Sequence, residues 1–359
     1  MFTPIAQKLL AWFAAHQRDL PWRRDPTPYA VWVAEIMAQQ TRLETILPYY
    51  QRWMARFPTL PDLAAASQQD VLNLWEGLGY YSRARNLHKA ARDLVEKYDG
   101  ELPADVKTLR ALPGVGRYTA GAIASLAFGL DEPAVDGNVK RVLARVFMVE
   151  EPVDGALGEK RIWSLASEHL PPGQAGEYNQ ALMELGALIC LPRAPDCGHC
   201  PIQEDCQAYA AGRQADLPVR KPKAKIPHYI VTAAVIRKGD RVLITQRFQD
   251  EMFGGMWEFP GGGLEDGELL KSGLKREIKE ELGVKIKVDE EIGVFKTTYS
   301  HFSVTLHAFV CTLRGGRLRS IRVDDFRWVT LDALEDFPMS KLDRLISHQL
   351  QSMEKQHES

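Results

Sequence analysis

The sequence predicts two domains of different class, an all-α domain followed by an α/β domain. From residue 2 to about residue 211, apolar residues recur at helical spacings of three and four, with Pro and Gly between the runs. Beyond Tyr229, segments rich in β-branched residues follow one another, as is typical of strands. At 359 residues the chain is also too long for one small core.

Composition changes set the expected domain boundaries. Residues 1–212 form the all-α domain, and residues 213–227, rich in Pro, Lys and Arg, form an extended basic linker. Residues 228–350 form the α/β domain and residues 351–359 a polar tail, and we expect the chain to be frayed after about His348.

The α/β domain has four strand candidates and one clear helix. The strand candidates are residues 230–236, 241–247, 304–312 and 326–329, and the helix is residues 269–282. Cys311 lies alone in one of these strands and is expected to be a core residue.

Charge and hydropathy exclude some classes of protein. With 45% hydrophobic and 26% charged residues the chain reads as soluble and globular. The net charge of −2 argues neither for nor against a nucleic-acid partner, so a basic footprint must be local. No uncharged apolar run reaches about eighteen residues, and the first fifteen residues lack the pattern of a signal peptide. We therefore expect a cytoplasmic protein without a membrane span.

The segment from Leu112 to Asn138 combines features of an anion site with a single acid. Gly114 and Gly116 precede a helical pattern, so their backbone N–H groups and the helix dipole can bind a phosphate. Asp136 follows one helix length downstream. In isolation Asp136 is also what a helix N-cap looks like, and both roles can coexist.

Glu35 is a lone acid in an apolar helical stretch. Burial there would raise its pKa and make it a usable general acid, although a surface Glu paired with a base is an equal alternative. Together, Glu35 and Asp136 are the minimum pair of carboxylates for cleaving a glycosidic bond. Since a nucleobase is held to deoxyribose by such a bond, the phosphate site suggests an enzyme that flips a base out of DNA.

Four cysteines lie within seventeen positions of one another, at Cys190, Cys197, Cys200 and Cys206. This clustering favours metal ligation over disulfides. Four thiolates at these spacings suit a 4Fe-4S cluster, whereas a zinc site more often has two paired Cys-x2-Cys knuckles.

Residues 1 to about 212 resemble the helix-hairpin-helix DNA glycosylases with an iron-sulfur loop, and among them the adenine DNA glycosylases of the MutY kind. The motifs that carry this resemblance are residues 20–23, 35–41, 77–83, the 112–116 hairpin, 135–138 and the four-cysteine loop at 190–206. So many motifs in one order also favour the cluster over zinc.

The resemblance implies roles in catalysis. Glu35 would protonate adenine at N7 and then activate water, and Asp136 would stabilise or covalently trap the sugar cation. Tyr118 and Asn138 would position the sugar, the acid and the water. Endonuclease III-like enzymes carry a Schiff-base lysine where this chain has Tyr118. Because a phenol cannot form that imine, the chain is expected to be monofunctional, removing a base without cutting the strand.

The resemblance also implies residues that contact DNA and the excised base. Gln40 and Tyr80 match residues that wedge into the base stack, and Trp22, Arg23 and Gln180 match positions that line the adenine pocket. The structural alternatives are core or surface aromatic residues for Trp22 and Tyr80, and an exposed helix residue for Gln180.

Residues 228–350 resemble the Nudix fold, an α/β/α sandwich with which this family recognises 8-oxoguanine opposite the adenine. Tyr299, Ser300 and His301 match the family's Phe-Ser-His motif with Tyr in place of Phe. Ser300 would hydrogen-bond the features that distinguish 8-oxoguanine from guanine, although a polar turn accounts for a tripeptide equally well.

The chain departs from the family pattern in its Nudix box, which most members have lost but which is complete here at residues 262–284. Glu277, Glu280 and Glu281 share one helix face, which suits Mg²⁺ and a diphosphate. A solvated acidic helix with interleaved Lys and Arg is the alternative.

The sequence therefore predicts a monomeric, monofunctional adenine DNA glycosylase that acts in base excision repair on double-stranded DNA with adenine opposite 8-oxoguanine or guanine. Two other hypotheses remain. In the first, the chain is also a Mg²⁺-dependent hydrolase of nucleoside diphosphate derivatives. In the second, it is a lesion-binding protein without catalytic activity. The carboxylates at 35 and 136 disfavour the last.

Overall fold

The computed structural model describes residues 3–222 and 225–357. They form two compact units, of which the first comprises Met1–Ala65 and Asn86–Lys223 and the second Ala66–Arg85 and Ala224–Ser359. The chain thus passes between the units after Ala65, after Arg85 and again inside the predicted linker. The sequence pattern did not reveal that the 66–85 segment belongs with the second unit.

Residues 3–222 are helical and contain no strand, which confirms the all-α prediction. The helices are α1 (Pro4–His16), α2 (Pro21–Arg24), α3 (Pro28–Ala38), α4 (Leu43–Arg56), α5 (Leu60–Ala65), α6 (Gln68–Trp75), α7 (Ser82–Lys97), α8 (Val106–Ala111), α9 (Arg117–Phe128), α10 (Gly137–Val146), α11 (Ala156–Glu168), α12 (Ala175–Leu188) and α13 (Gln207–Ala210). Two 3₁₀ turns, Cys197–His199 and Gln203–Asp205, shape the cysteine loop. Helix α6 and the first turn of α7 belong to the second unit.

Helix α12 is central to the first unit because it packs against α1, α9 and α10. Glycines permit the closest approaches. A Cβ at Gly176 would lie 2.6 Å from the Ser125 carbonyl oxygen, and one at Gly121 would lie 2.3 Å from the Pro133 carbonyl oxygen. These approaches bring α3, α9, α10 and α12 together around the site described below.

The second unit contains a seven-stranded mixed sheet. Its strands are β1 (His228–Lys238), β2 (Arg241–Gln246), β3 (Trp257–Glu258), β4 (Gly261–Gly263), β5 (Lys285–Thr298), β6 (Ser303–Gly315) and β7 (Asp325–Thr330). Helices α14 (Leu270–Leu282) and α15 (Lys341–His357) and a 3₁₀ helix (Asp332–Asp336) complete it. Strand β1 runs parallel to β6, whereas β5 pairs with β6 and β7 with β2 in antiparallel fashion.

The helices α14 and α15 cover opposite faces of this sheet, which confirms the α/β/α sandwich. Alternation along β1 explains the two cores: Ala233 and Val235 pack with Ile346 of α15, whereas Ala234 and Ile236 pack with residues of α14. Cys311 is buried in the α14 core, as expected.

All four predicted strands and the helix at 269–282 are present within a few residues of the expected bounds. Three strands were missed: β3 and β4 have only 2 and 3 residues, and the register shifts of β5 between Val288 and Gly293 interrupt its alternation. The expectation that the chain frays from His348 is wrong, since α15 continues to His357 and buries Ile346 and Leu350. Residues 358 and 359 of the predicted tail lie outside the described residues, as do Lys223 and Ala224 of the linker. Among the described helices none is long and apolar enough to cross a membrane.

Candidate active site

Glu35 lies on α3, where only 7% of its surface is exposed. Burial raises the pKa of Glu35 to about 7; a hydrogen bond from Tyr118 lowers the pKa and the nearby Asp136 carboxylate raises it further. The exposed, ion-paired alternative is therefore wrong. A carboxyl group with this pKa carries a proton in a large fraction of molecules at neutral pH, as a general acid requires.

Tyr118 occupies the first turn of α9 and points at Glu35. Its hydroxyl donates to Glu35 Oε2 at 2.5 Å and lies 3.6 Å from Met183 Sδ. Burial, followed by the Glu35 and Asp136 carboxylates, raises the pKa of Tyr118 well above its usual value, so the phenol stays a neutral donor. The tyrosine at the position of the lysine in endonuclease III-like enzymes thus contacts the proposed acid directly.

Asp136 is the N-cap of α10, as one of the two interpretations predicted. Its Oδ1 accepts from the Val139 backbone N–H at 2.7 Å, and its Oδ2 accepts from Asn138 Nδ2 at 3.0 Å. Burial raises the pKa of Asp136, while these donors lower it. Because the Asp136 carboxylate lies close enough to raise the pKa of Glu35, capping and catalysis are compatible roles.

Asn138 is held by Arg141, which the sequence analysis did not single out. Arg141 Nη2 donates to Asn138 Oδ1 at 2.8 Å and to the Gly186 carbonyl at 2.7 Å, and its Nε donates to the Cys190 carbonyl at 2.7 Å. Hydrogen bonds therefore connect Asp136, through Asn138 and Arg141, to the first residue of the cysteine loop.

Gly186 on α12 leaves room for Asn138, because a Cβ at Gly186 would lie 2.6 Å from Asn138 Cβ. We expect Gly186→Ala to displace Asn138 and to slow single-turnover base excision by up to about 10²-fold, as for other small misplacements of positioning groups. The control is Gly315→Ala, since a Cβ there meets no atom within 4 Å. An unchanged rate in the Gly186 variant would show that the Asn138 position does not matter.

The proposed pocket residues Arg23 and Gln180 contact each other. Arg23 Nε donates to Gln180 Oε1 at 2.8 Å, and Arg23 also pairs with Glu184, whose surface is 1% exposed. Burial alone would raise the pKa of Glu184, but hydrogen bonds from Arg18 and Arg23 lower it to about 2. Glu184 thus holds Arg23 in place, and Gln180 is half-buried rather than an exposed helix residue.

Trp22 is buried, with its ring 4.9 Å from that of Tyr50 in an edge contact. This contact is equally compatible with a core residue and with the wall of a pocket.

The hairpin between α8 and α9 has the expected open geometry. Gly114 has a left-handed backbone (φ +78°), where a Cβ would also approach Asn86 Cβ to 2.9 Å. Gly116 is the N-cap of α9 and, with no side chain, leaves the first N–H groups of the helix uncapped. Gln40, just beyond α3, is exposed and also left-handed (φ 58°). Such strained backbone is common at functional sites.

The four cysteines line one cavity in the first unit, together with Arg145. Arg145 Nη1 lies 3.3 Å from Cys190 Sγ. Burial raises the pKa of Cys200 to about 11, and the other three cysteines raise it further. Four cysteine sulfurs around one cavity, each of which would lose its proton on binding, are the donor set that an iron-sulfur cluster requires.

In the second unit a cavity of about 620 Å³ brings Tyr80 together with Tyr299, Ser300 and His301. The Tyr80 and Ser300 hydroxyls are hydrogen-bonded to each other. The predicted wedge residue and the predicted recognition motif, which are 220 positions apart, therefore share one site. Tyr80 has a left-handed backbone (φ 49°), as Gln40 has.

Of the three glutamates on the acidic face of α14, two lie beside β4 and the third is turned to an ion pair. Glu281 accepts from the Gly261 N–H at 3.1 Å, and the Glu277 carboxyl lies against Gly262. Glu280 instead pairs with Arg322 at 2.8 Å. Within residues 3–222 and 225–357, no three His, Cys, Asp or Glu side chains are arranged to hold a single metal ion.

A buried acid next to α14 escaped the sequence analysis. Burial raises the pKa of Glu281, and Glu258 on β3 raises it further. Glu258 lies just before the box in sequence but outside its pattern, so the box alone did not single it out.

Both parts of the chain match the models of known families. Residues 33–167 match the model of the HhH-GPD superfamily of base excision DNA repair proteins, and residues 231–349 match that of the NUDIX domain. The adenine DNA glycosylase of Rattus norvegicus is 36% identical, over 94% of this chain and 76% of that protein. The adenine DNA glycosylase of Buchnera aphidicola (subsp. Acyrthosiphon pisum) is 32% identical, over 86% of this chain and 87% of that protein. The chain belongs to the adenine DNA glycosylase family.

As a member of the adenine DNA glycosylase family, the chain is a DNA N-glycosylase of base excision repair. It also resembles a thermostable thymine-DNA glycosylase structure, with a TM-score of 0.54 and 29% identity over 58% of this chain and 95% of that chain. A non-covalent endonuclease III–DNA complex matches with a TM-score of 0.50 and 25% identity over 58% of this chain and 94% of that one. These likenesses support binding to DNA. The family generally carries a 4Fe-4S cluster, and Cys190, Cys197, Cys200 and Cys206 are the residues that would hold it.

Four residues that hold the proposed catalytic and pocket residues in place were not singled out from the sequence, namely Arg141, Glu184, Gly186 and Arg18. A buried Glu in the α12 pattern, flanked by apolar residues as Glu35 is, was the signal that could have identified Glu184. No local sequence pattern distinguishes Arg141, Gly186 or Arg18.

Proposed function

We propose that this adenine DNA glycosylase is monofunctional and excises adenine mispaired with 8-oxoguanine or guanine. The observation that carries this proposal is the hydrogen bond from Tyr118 to Glu35, at the position where lyases of the superfamily have their lysine. A phenol with a raised pKa cannot form an imine, so it positions the acid and does not attack the sugar.

In the proposed reaction the Glu35 carboxyl donates its proton to adenine N7. Electrons of the C1′–N9 bond then move into the base, adenine leaves, and an oxocarbenium-like sugar remains. The Asp136 carboxylate stabilises this cation, and its two donors, Val139 N–H and Asn138, hold it in orientation. Glu35, now ionised, accepts a proton from the water that attacks C1′, which leaves an abasic site and restores the acid.

Phosphate binding by the 112–116 hairpin would fix the strand beside this site, because the uncapped N–H groups of α9 and its dipole favour an anion. Arg23 and Gln180 would contact the extruded adenine. Gln40 and Tyr80 would each contact the base stack of the duplex.

We further propose that the Tyr80–Ser300 site reads the opposite base. Hydroxyl groups can donate as well as accept, so a pair of them can match the exchanged donor and acceptor pattern of 8-oxoguanine. His301 is exposed beside the cavity and would contact the same strand.

The proposal predicts a specific product from a duplex with adenine opposite 8-oxoguanine. Adenine is released, the strand breaks only after alkali treatment, and excision opposite 8-oxoguanine is faster than opposite guanine in single turnover. The control duplex has adenine opposite thymine. Strand cleavage without alkali, with stoichiometric trapping of the protein on DNA by borohydride, would contradict the monofunctional mechanism, and equal rates on both mispairs would contradict the recognition role.

Hydrolysis of nucleoside diphosphate derivatives with Mg²⁺ is the second candidate. It is supported by the raised pKa of Glu281 beside Glu258 and Glu277, since carboxylates that repel one another favour a shared cation. We rank it second because Glu280, the third member of the predicted Mg²⁺ group, is engaged with Arg322.

A further inference from the structure

We propose that Glu76 and Arg344 are positioning residues for recognition of the opposite base: their ion pair fixes the 66–85 segment within the second unit so that Tyr80 stays aligned with Ser300. This inference rests on the recognition role proposed above for Tyr80 and Ser300. Neither Glu76 nor Arg344 belongs to a motif that the sequence analysis identified.

The contact between the two residues is a two-pronged ion pair. Arg344 Nε and Nη2 lie 2.6 and 2.9 Å from the two carboxylate oxygens of Glu76. The remaining N–H groups of Arg344 donate to the carbonyls of Leu334 and Phe337, and Glu76 also accepts from the Met339 backbone N–H. The side chain of Arg344 is 14% exposed and that of Glu76 is 24% exposed. A shielded, bidentate pair of this kind is stronger and better oriented than a surface ion pair.

The location of Glu76 links this ion pair to Tyr80. Glu76 ends α6, and the four residues that follow include Gly77 and Gly79, both with left-handed backbone (φ 94° and 72°), and Tyr80 itself at φ 49°. Two glycines give the chain freedom on the approach to Tyr80. A strained non-glycine residue persists only where its surroundings hold it. Glu76 supplies a fixed point immediately before this stretch.

A second set of contacts holds the far side of Tyr80. The Tyr81 ring meets Phe253 at 6.1 Å, and Phe253 meets Tyr299 at 5.5 Å. Arg85 Nη1 donates to the Gly254 carbonyl at 3.0 Å. The loop that carries Phe253 thus touches both the 66–85 segment and the motif that carries Ser300. Contacts on both sides of Tyr80 therefore hold the Tyr80–Ser300 hydroxyl pair in place. The contact on the Glu76 side is an ion pair.

Loss of the ion pair should shift Tyr80 without releasing the segment. Gln69 accepts from Trp257 Nε1 at 3.2 Å, and Asn73 donates to the Asp336 carbonyl at 3.2 Å, so α6 keeps other anchors. Glu76→Gln and Arg344→Gln are accordingly expected to fold. Their effect should fall on discrimination between opposite bases.

The test is the ratio of single-turnover excision rates opposite 8-oxoguanine and opposite guanine, measured with the full-length, cluster-loaded enzyme. We expect Glu76→Gln and Arg344→Gln each to lower this ratio about tenfold, equivalent to about 1.4 kcal/mol of discrimination. Arg344→Lys, which keeps the charge but not the planar fork, should restore part of it. The matched control is Arg237→Gln, because Arg237 pairs with Glu354 of the same helix α15 at 3.7 Å. Its ratio should equal that of the wild type.

A second measurement separates positioning from general stability. If Arg344 acts through the Tyr80–Ser300 pair, Arg344→Gln should lower the ratio little further in a Ser300→Ala background, whereas independent effects would multiply. A wild-type preference that persists in both single variants would overturn this inference alone, as would equal losses of rate on both mispairs. A wild type without preference would instead overturn the recognition role itself.

Discussion

Glu35→Gln is expected to slow single-turnover adenine excision by about 10²- to 10⁴-fold, the range that general acid–base catalysis contributes. Gln matches Glu in size and can still accept from Tyr118, but it has no proton to give to N7 and cannot activate water. Because burial raises the Glu35 pKa, the neutral amide should also be tolerated in the fold. The rate of adenine release is measured on the duplex with adenine opposite 8-oxoguanine.

The matched control is Glu159→Gln, an exposed carboxylate of α11 that pairs with Lys140. Its excision rate should equal that of the wild type. A Glu35→Gln enzyme that retains more than about a tenth of the wild-type rate would remove Glu35 from the role of general acid.

Asp136→Asn is expected to slow excision by about 10²- to 10³-fold, the effect of losing one preorganised electrostatic group. The substitution separates the two roles of Asp136, because Asn caps helices about as well as Asp. Unfolding temperature should therefore change little, whereas the charge that stabilises the sugar cation is lost.

Asp105 offers a matched control for the capping role. It is the exposed N-cap of α8 and accepts from the Thr108 backbone N–H at 2.7 Å, much as Asp136 accepts from Val139. Asp105→Asn should leave excision unchanged. If Asp136→Asn lowers stability but not the rate per folded molecule, Asp136 is a structural cap only.

Local spacing was sufficient to predict the two fold classes and to single out two of the proposed catalytic residues, Glu35 and Asp136. Glu35 stands out because a lone acid interrupts an apolar helix face, and the Gly114–Gly116 hairpin because glycines before a helix have few other uses. The resemblance to a family then singled out Tyr118, which spacing alone would have left as an ordinary helix residue.

Contacts between distant parts of the chain could not be predicted in this way. The guanidinium group of Arg141 donates hydrogen bonds to Asn138, Gly186 and Cys190. The periodicity of a sequence does not predict which carbonyl groups a long side chain will contact. For the same reason, the sequence did not predict that Glu258 lies near the carboxylates of α14. The 66–85 segment was assigned to the helical domain because its pattern is helical, while its long-range contacts lie with the second unit.

The most direct test of the account is the pH dependence of the single-turnover excision rate, because the central claim is that buried Glu35 delivers a proton. The protonated form is required, and the folded-state pKa is about 7, so the rate should be highest below neutral pH and fall as pH rises through about 7. The residual excision rate of Glu35→Gln should not decrease as pH rises through this range. A wild-type rate that stays constant or increases between pH 6 and pH 8.5 would contradict the assignment of Glu35 as the acid.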